Sequence, residues 1–116
     1  MKKIELFLVA SLLFVIFGCR EDNFDNSKTL RDLYEKYKKG EISECKLNGE
    51  TVYTASENAY DASTYIYDKD CIQVGICNYA WGTVDPICKK LLDCETIYRC
   101  KGHISGQPFI DKYGLD

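Results

Sequence analysis

The apolar positions of this chain fall into patterns of different period, and the first is a nearly continuous run at residues 6–17. Two lysines precede the run, and Gly18 and Cys19 follow it, an order that is typical of a secretory signal. The run is about a dozen residues long, which is too short for a bilayer that needs roughly 20. We therefore predict that residues 1–18 are removed as a signal and that the mature chain begins at Cys19.

The second pattern has the period of an amphipathic helix. It follows a polar, acidic stretch at 19–26, which we expect to be a flexible tether. Thr29 and Asp32 are predicted to form a capping box at the start of this helix, and Gly40 a left-handed cap at its end. The apolar face, spaced i, i+3, i+4, i+7, consists of Leu30, Leu33, Tyr34 and Tyr37.

Segments with β-strand character fill the centre of the chain. Segments 43–47 and 51–55 flank Asn48-Gly49, and both turn residues accept the positive φ angles of a type I′ turn. This pattern predicts a hairpin. A second hairpin is predicted from segments 63–67 and 72–78, joined through an acidic turn. Its second strand alternates with a period of two, so we expect one half-buried face, made of Ile72, Val74 and Ile76.

The C-terminal third predicts fewer regular elements. Residues 81–84 are expected to form a loop, and Asp85-Pro86 to begin a short helix that runs to about Leu92. Segment 95–100 is predicted to be a fifth strand. From Lys101 onward, glycines favour a loose tail, docked through Phe109, Ile110 and Tyr113.

These elements predict an α+β fold for residues 27–116, organised as a single domain. The expected architecture is a small antiparallel sheet, two hairpins plus one strand, with one or two packed helices and disulfide staples. The predicted signal removes Lys2, Lys3 and Glu5 from 15 basic and 18 acidic residues, which leaves 13 and 17. This mildly acidic balance argues against nucleic acid as a partner, because such binding needs a basic surface.

Cysteine usage points to an oxidising compartment. With Cys19 set aside, six cysteines remain in a short exported domain, and an even number there indicates disulfides. If the predicted elements form, the pairs 71–77, 88–94 and 94–100 are too far apart to bridge, because a disulfide tolerates a Cα separation of only about 7 Å. Eight pairings stay open, and they link different elements among Cys45, Cys71, Cys77, Cys88, Cys94 and Cys100.

The sequence offers little support for a catalytic site or a metal site. A zinc site built from Cys94, Cys100 and His103, with Cys88 as a fourth ligand, has wider spacings than zinc knuckles. His103 is the only histidine, and its glycine-rich surroundings predict a solvated side chain. The carboxylates near 57–61 and 68–70 are expected to form turns. We therefore predict no catalytic residue, no metal and no cofactor.

Aromatic residues are abundant, with nine tyrosines and one tryptophan. On strands, tyrosine usually packs in the core or across strands. The alternative interpretation is that Tyr79 and Trp81, in the 78–86 loop, form a contact patch for a protein or a glycan, because both residue types are enriched at binding hot spots.

The signal region carries a resemblance. Ile16, Phe17, Gly18 and Cys19 resemble the lipobox of bacterial lipoproteins, although Phe17 stands where a small residue is usual. The resemblance implies lipidation of Cys19, with the lipid bilayer as a partner through its acyl chains. The acidic pair Glu21 and Asp22 resembles the export signal of Bacteroidota lipoproteins. It implies the cell envelope of a Gram-negative bacterium, as an outer membrane lipoprotein that is periplasmic or surface-exposed.

The rest of the chain, from 42 to 99, resembles short uncharacterised lipoproteins of Bacteroidota in three features. These are the C-x-x-N-G hairpin at Cys45, the Tyr60-Asp61 and Tyr67-Asp68 steps, and the block from Cys77 to Cys94. The resemblance brings no activity with it. Within this frame Cys71 occupies a turn position suited to glycine, and we expect it to bridge with Cys100.

Taken together, the sequence predicts a non-enzymatic, membrane-tethered interaction domain. Two alternatives stay open. One is a disulfide-rich protease inhibitor that presents a rigid loop at 78–86, and the other is a small hydrolase that uses His103 in a concave pocket.

Overall fold

The computed structural model describes residues 27–116. The predicted signal, the tether and Cys19 lie outside the described residues. The described chain begins within a helix, α1, that covers 27–37, and continues into one seven-stranded sheet. Its strands are β1 (Glu41–Leu47), β2 (Glu50–Ser56), β3 (Thr64–Tyr67), β4 (Gln73–Asn78), β5 (Thr83–Val84), β6 (Leu92–Arg99) and β7 (Ile110–Asp111).

All pairings in the sheet are antiparallel, and the strand order is β5-β4-β3-β2-β1-β6-β7. Strand β6 therefore crosses over and pairs with β1 instead of extending the sheet beyond β5. The fold is a sheet-dominated α+β fold, as predicted, with more strands than the sequence indicated. The two additional strands, β5 and β7, are two residues long and form its edges.

Both predicted hairpins are confirmed. In the first, β1 and β2 pair from Glu41↔Ser56 to Leu47↔Glu50, and the turn residues Asn48 and Gly49 have φ of 53° and 82°. In the second, the Asp68 carboxylate holds the turn by accepting hydrogen bonds from the backbone N–H groups of Asp70 and Ile72. Local turn chemistry therefore decides both connections.

The predicted apolar face of α1 is confirmed, but both predicted caps are wrong. Leu30, Leu33 and Tyr37 are buried against strand residues of β1, β2, β3 and β6. Thr29 lies inside the helix, buried, and its hydroxyl donates to the carbonyl of Lys69 instead of capping. Gly40 has no positive φ. A Cβ there would meet the Ser56 carbonyl oxygen at 2.0 Å, so glycine permits a close backbone approach at this position.

The sheet carries a core on each face. The core on the helix side is completed by Ile42, Tyr53, Ala55, Tyr67, Ile97 and Tyr98. The Tyr37 and Tyr67 hydroxyl oxygens lie 2.6 Å apart across that core and link α1 to β3. The second core, on the opposite face, groups Cys45, Val52, Ile66 and Cys77 beneath the 85–91 segment.

The buried face of β4 is the reverse of the predicted one. The period of two is present, but Gly75 and Cys77 are buried, whereas Ile72 and Val74 are 59% and 44% exposed. The difference arises from tertiary packing, because the core on the helix side contains no residue of β4. On the other face Ile87 packs so closely over Gly75 that a Cβ there would lie 2.7 Å from the Ile87 Cδ1.

The segment after β4 is more extended than predicted. Two residues of the expected 81–84 loop form β5, and the expected helix is a 3-10 helix limited to Pro86–Lys89. Asp85 precedes it but makes no side-chain cap. Its carboxylate instead accepts the Ile76 N–H at 2.8 Å, which ties the segment to β4. The fifth predicted strand is confirmed as β6, which begins three residues earlier, at Leu92.

The C-terminal tail is docked through Phe109, Ile110 and Tyr113, as predicted, but it is more regular than the expected loose tail. Strand β7 pairs with β6, and the Asp111 carboxylate accepts the N–H groups of Leu115 and Asp116. The Tyr113 hydroxyl donates to Glu44 at 2.7 Å.

Two disulfides form, Cys45–Cys94 between β1 and β6 and Cys77–Cys88 between β4 and the 3-10 helix. The expected bridge between Cys71 and Cys100 is wrong, because both are free thiols. Cys71 lies in the turn after β3, whereas Cys100 follows β6 and donates its thiol hydrogen to the Lys39 carbonyl. These positions lie at opposite ends of the sheet, farther apart than a bridge tolerates.

Candidate functional site: the loop end of the sheet

One end of the sheet is defined by its register. A row of paired residues crosses it through Thr83, Asn78, Cys77, Thr64, Ser56, Glu41, Arg99 and Ile110. Beyond this row lie the three connections 57–63, 79–82 and 100–109. We call these three connections the loop end.

The loop end carries more than half of the large hydrophobic side chains that are exposed within residues 27–116. Of the nine large hydrophobic side chains exposed within residues 27–116, five belong to the three loops: Tyr60, Tyr79, Trp81, Ile104 and Phe109. Tyr60 is 91% exposed, Tyr79 70% and Trp81 71%. Exposed apolar side chains that cluster in this way typically mark an interaction surface.

Asn78 holds two of the loops in place. Its side-chain NH₂ donates to the Ser63 hydroxyl at 2.7 Å, and its side-chain oxygen accepts the Trp81 backbone N–H at 3.0 Å. Asn78 is itself buried, and Gly82 supplies a φ of 74° beside Trp81. The backbone that carries Trp81 is therefore fixed against the loop that carries Tyr60.

The third loop joins the same end. The Ile104 backbone N–H donates to the Asn58 side-chain oxygen at 2.7 Å, which connects loop 100–109 to loop 57–63. The Lys101 ammonium lies 5.2 Å from the centre of the Phe109 ring. Burial raises the pKa of Tyr98 beneath this loop, where its hydroxyl donates to the Lys38 carbonyl.

His103 differs from its predicted solvated state. Its side chain is only 8% exposed, and its Nε2, which makes no hydrogen bond, lies 3.6 Å from a Glu41 carboxylate oxygen. Its Nδ1 accepts the Ser105 backbone N–H at 3.1 Å, with the Ser105 hydroxyl at 2.7 Å. Arg99 contacts the same Glu41 carboxylate at 3.5 Å. Neither Ser105 nor Glu41 could be identified from the sequence as a partner of His103, because only the fold brings these residues together.

The arrangement around His103 orders the loop, and it also has the residue types of a serine nucleophile with its base. Four clefts of about 400 to 440 Å³ are formed by described residues, and neither His103 nor Ser105 lines any of these four. Two of the proposed zinc ligands, Cys88 and Cys94, are joined in disulfides, so neither offers a thiolate to a metal.

The opposite end of the sheet receives the N-terminal chain. Thr29, near the first described residue, bonds to Lys69 in the turn that follows β3. Helix α1 then runs toward the loop end, where its last turn meets Gly40 and Cys100. The first described residues therefore lie at the end of the domain away from Tyr60, Tyr79 and Trp81.

No family model, curated protein or solved structure matches the chain. Within residues 27–116, no helix combines the length and the apolar character needed to cross a membrane.

Proposed function

We propose that this chain is an exported lipoprotein of the bacterial envelope, held to a membrane through Cys19, whose folded domain binds a partner through its loop end and carries out no catalysis. The observation that supports this most directly is the position of Tyr60, Tyr79 and Trp81, which are highly exposed on loops that hydrogen bonds hold in place.

The position of the start of α1, at the end of the sheet away from the loops, supports the same function. A tether that enters beside Thr29 leaves the loop end on the far side of the domain, because α1 spans the length of the sheet between them. A lipid on Cys19 would thus attach at the end of the domain away from Trp81 and leave the loop end free to meet a partner. Multiple acyl chains on one cysteine give stable anchoring without a membrane-spanning helix.

The composition of loops 57–63 and 79–82 fits a binding role. The two loops contain tyrosine, tryptophan, alanine, glycine and short polar residues, and no aliphatic residue larger than alanine. Tyrosine and tryptophan supply rigid contact area at a low cost in conformational entropy, while serine, asparagine and glycine supply adaptable hydrogen bonds. The same composition characterises the binding loops of antibodies.

The test is photo-crosslinking in living cells with the full chain. A photoreactive amino acid replaces Tyr79 in one strain and Leu92 in another, because Leu92 is also exposed but does not belong to the loop end. We expect a discrete adduct from position 79 and none from position 92. Equal adducts from both positions, or none from either, would contradict the proposal. The intact mass of the membrane-fraction protein should fit a chain that starts at an acylated Cys19, and a mass without acyl chains would contradict the lipid anchor.

The protease-inhibitor alternative fits the loop less well. The Asn78↔Thr83 pair closes residues 79–82 into a tight turn, and Asp85 is hydrogen bonded to β4 on both its backbone and its side chain. This leaves little extended chain to enter a protease cleft.

The hydrolase alternative rests on the contact of Ser105 with His103 and of His103 with Glu41. In such a site the Ser105 hydroxyl would lose its proton to Nδ1 while attacking an ester carbonyl. Covalent labelling by a fluorophosphonate tests it. A probe mass on Ser105 that is absent in His103→Ala would establish this function, and an unlabelled Ser105 would exclude it.

A further inference from the structure

We infer that the partner of the loop end is a neutral saccharide, which stacks on the exposed rings of Trp81 and Tyr79. This inference rests on the proposed binding function and specifies the chemistry of the partner. It concerns the half of the loop end that consists of loops 57–63 and 79–82, which we call the aromatic half.

Exposed aromatic rings are the main feature of the aromatic half. The faces of aromatic rings carry negative electrostatic potential, which attracts the weakly positive C–H groups on one side of a sugar ring. Trp81 and Tyr79 are each about 70% exposed, and Asn78 fixes the backbone of Trp81. An exposed ring on an ordered backbone is prepared for stacking, because little conformational freedom is lost on binding.

Polar groups around the rings fit the hydroxyls of a sugar. Asp61, next to Tyr60 in the chain, and Thr83, two residues after Trp81, are both exposed and together offer acceptors and a hydroxyl donor. Asn58 is exposed in loop 57–63. Its side-chain oxygen accepts the Ile104 backbone N–H, and its side-chain NH₂ can still donate to a ligand. Sugar hydroxyls need such short side chains, which donate and accept at the edge of a stacked ring.

The charged residues of the aromatic half bear on which chemical class of partner fits it. The aromatic half contains Glu57 and Asp61 and neither lysine nor arginine. The lysines of residues 36–39 line a cleft with Glu57 and Asn58, where α1 ends. The segments that carry Tyr60 and Trp81 themselves offer no cation to pair with an acidic polysaccharide or an anionic lipid headgroup. Arginine is the third residue type enriched at the hot spots of protein interfaces, beside tyrosine and tryptophan, and the aromatic half has none.

The sole tryptophan of the chain makes the test specific. Because Trp81 is the only tryptophan, emission from the mature lipidated chain in detergent reports on this surface alone. The probes are neutral oligosaccharides of glucose, mannose, galactose and N-acetylglucosamine, with an oligogalacturonate as the acidic control. We expect at least one neutral oligosaccharide to change the emission saturably and the acidic oligosaccharide to leave it unchanged.

Two variants control for the site. Tyr79→Ala should weaken binding on the order of tenfold, whereas Leu92→Ala, exposed elsewhere on the domain, should leave it unchanged. Equal affinity in both variants would overturn the inference. If no neutral saccharide changes the emission while position 79 still crosslinks to a protein in cells, the saccharide inference fails and the binding function stands. If neither experiment gives a signal, both fail.

Discussion

At the scale of single residues, the two free thiols lie in different environments. Cys71 is half-buried at a φ of 63°, in a turn position where glycine is usual. Burial raises the pKa of its thiol, with a smaller contribution from Asp32. Cys100 is buried and donates to the Lys39 carbonyl. Alkylation requires a thiolate that solvent can reach, so the two thiols should react under different conditions.

We predict that iodoacetamide labels the native, unreduced chain at Cys71 alone within residues 27–116. The reaction should be slow at neutral pH and faster as the pH rises, because burial favours the protonated thiol. Cys100 should react only after unfolding, and the other four cysteines only after reduction. Peptide mass mapping measures this, with Cys71→Ser as the control. Labelling of native Cys100, or none of Cys71, would contradict the structure.

Tyrosine ionisation is a second property at this scale. Burial raises the pKa of Tyr53 to about 12, and burial followed by the hydrogen bond to Tyr67 raises that of Tyr37. The unfolded chain ionises its tyrosines near a pKa of about 10. The neutral phenols therefore contribute stability that is complete below about pH 10 and is lost as the pH rises through the folded values.

We predict that the free energy of unfolding falls between about pH 10 and 12. Urea unfolding after a rapid pH jump measures this free energy at each pH. Tyr53→Phe should reduce the slope over this range, whereas Tyr60→Phe should not, since Tyr60 is almost fully exposed. A slope unaffected by Tyr53→Phe would refute the assignment.

At the scale of elements, two glycines permit close packing in different ways. Gly40 lies against the backbone of Ser56, where α1 turns into β1, whereas Gly75 lies beneath the flexible end of the Ile87 side chain. Backbone cannot move without disturbing the β1–β2 ladder, but a side-chain tip can rotate.

We therefore predict that Gly40→Ala destabilises the domain by more than about 2 kcal/mol, and that Gly75→Ala costs about 1 kcal/mol. Neither position has a positive φ, so the comparison isolates the steric contact. Urea unfolding monitored by circular dichroism measures both. Equal losses would show that the Ile87 side chain is as rigid as the Ser56 backbone.

At the scale of the whole molecule, the two disulfides constrain the chain over different lengths. Cys45–Cys94 closes 49 residues and joins the central β1 to β6, whereas Cys77–Cys88 closes 11 residues. The entropy removed from the unfolded chain grows with the length of the closed loop.

We predict that replacement of both Cys45 and Cys94 by Ala lowers the free energy of unfolding by about 4 kcal/mol, against about 3 kcal/mol for Cys77 and Cys88. Urea unfolding without reductant compares the two double variants. The reverse order would show that strain or packing at the second core outweighs chain entropy.

The sequence by itself determined the features that depend on neighbouring residues. The Asn48-Gly49 hairpin and the acidic turn at Asp68 follow from turn chemistry over a few positions. The buried face of α1 follows from a helical period that places three of its four predicted residues in the core. Tyr79 and Trp81 could be singled out by residue type, because both types are enriched at binding hot spots.

Features that depend on residues distant in the sequence could not be predicted, because only the folded chain brings those residues together. Strand β6 pairs with β1, and this crossover brings Cys94 to Cys45 and places Glu41 beside His103. The buried side of β4 was likewise decided by Ile87, which packs on one face of the strand where α1 leaves the other open. A strand with a period of two specifies that one face is buried, but the partner on that face determines which one.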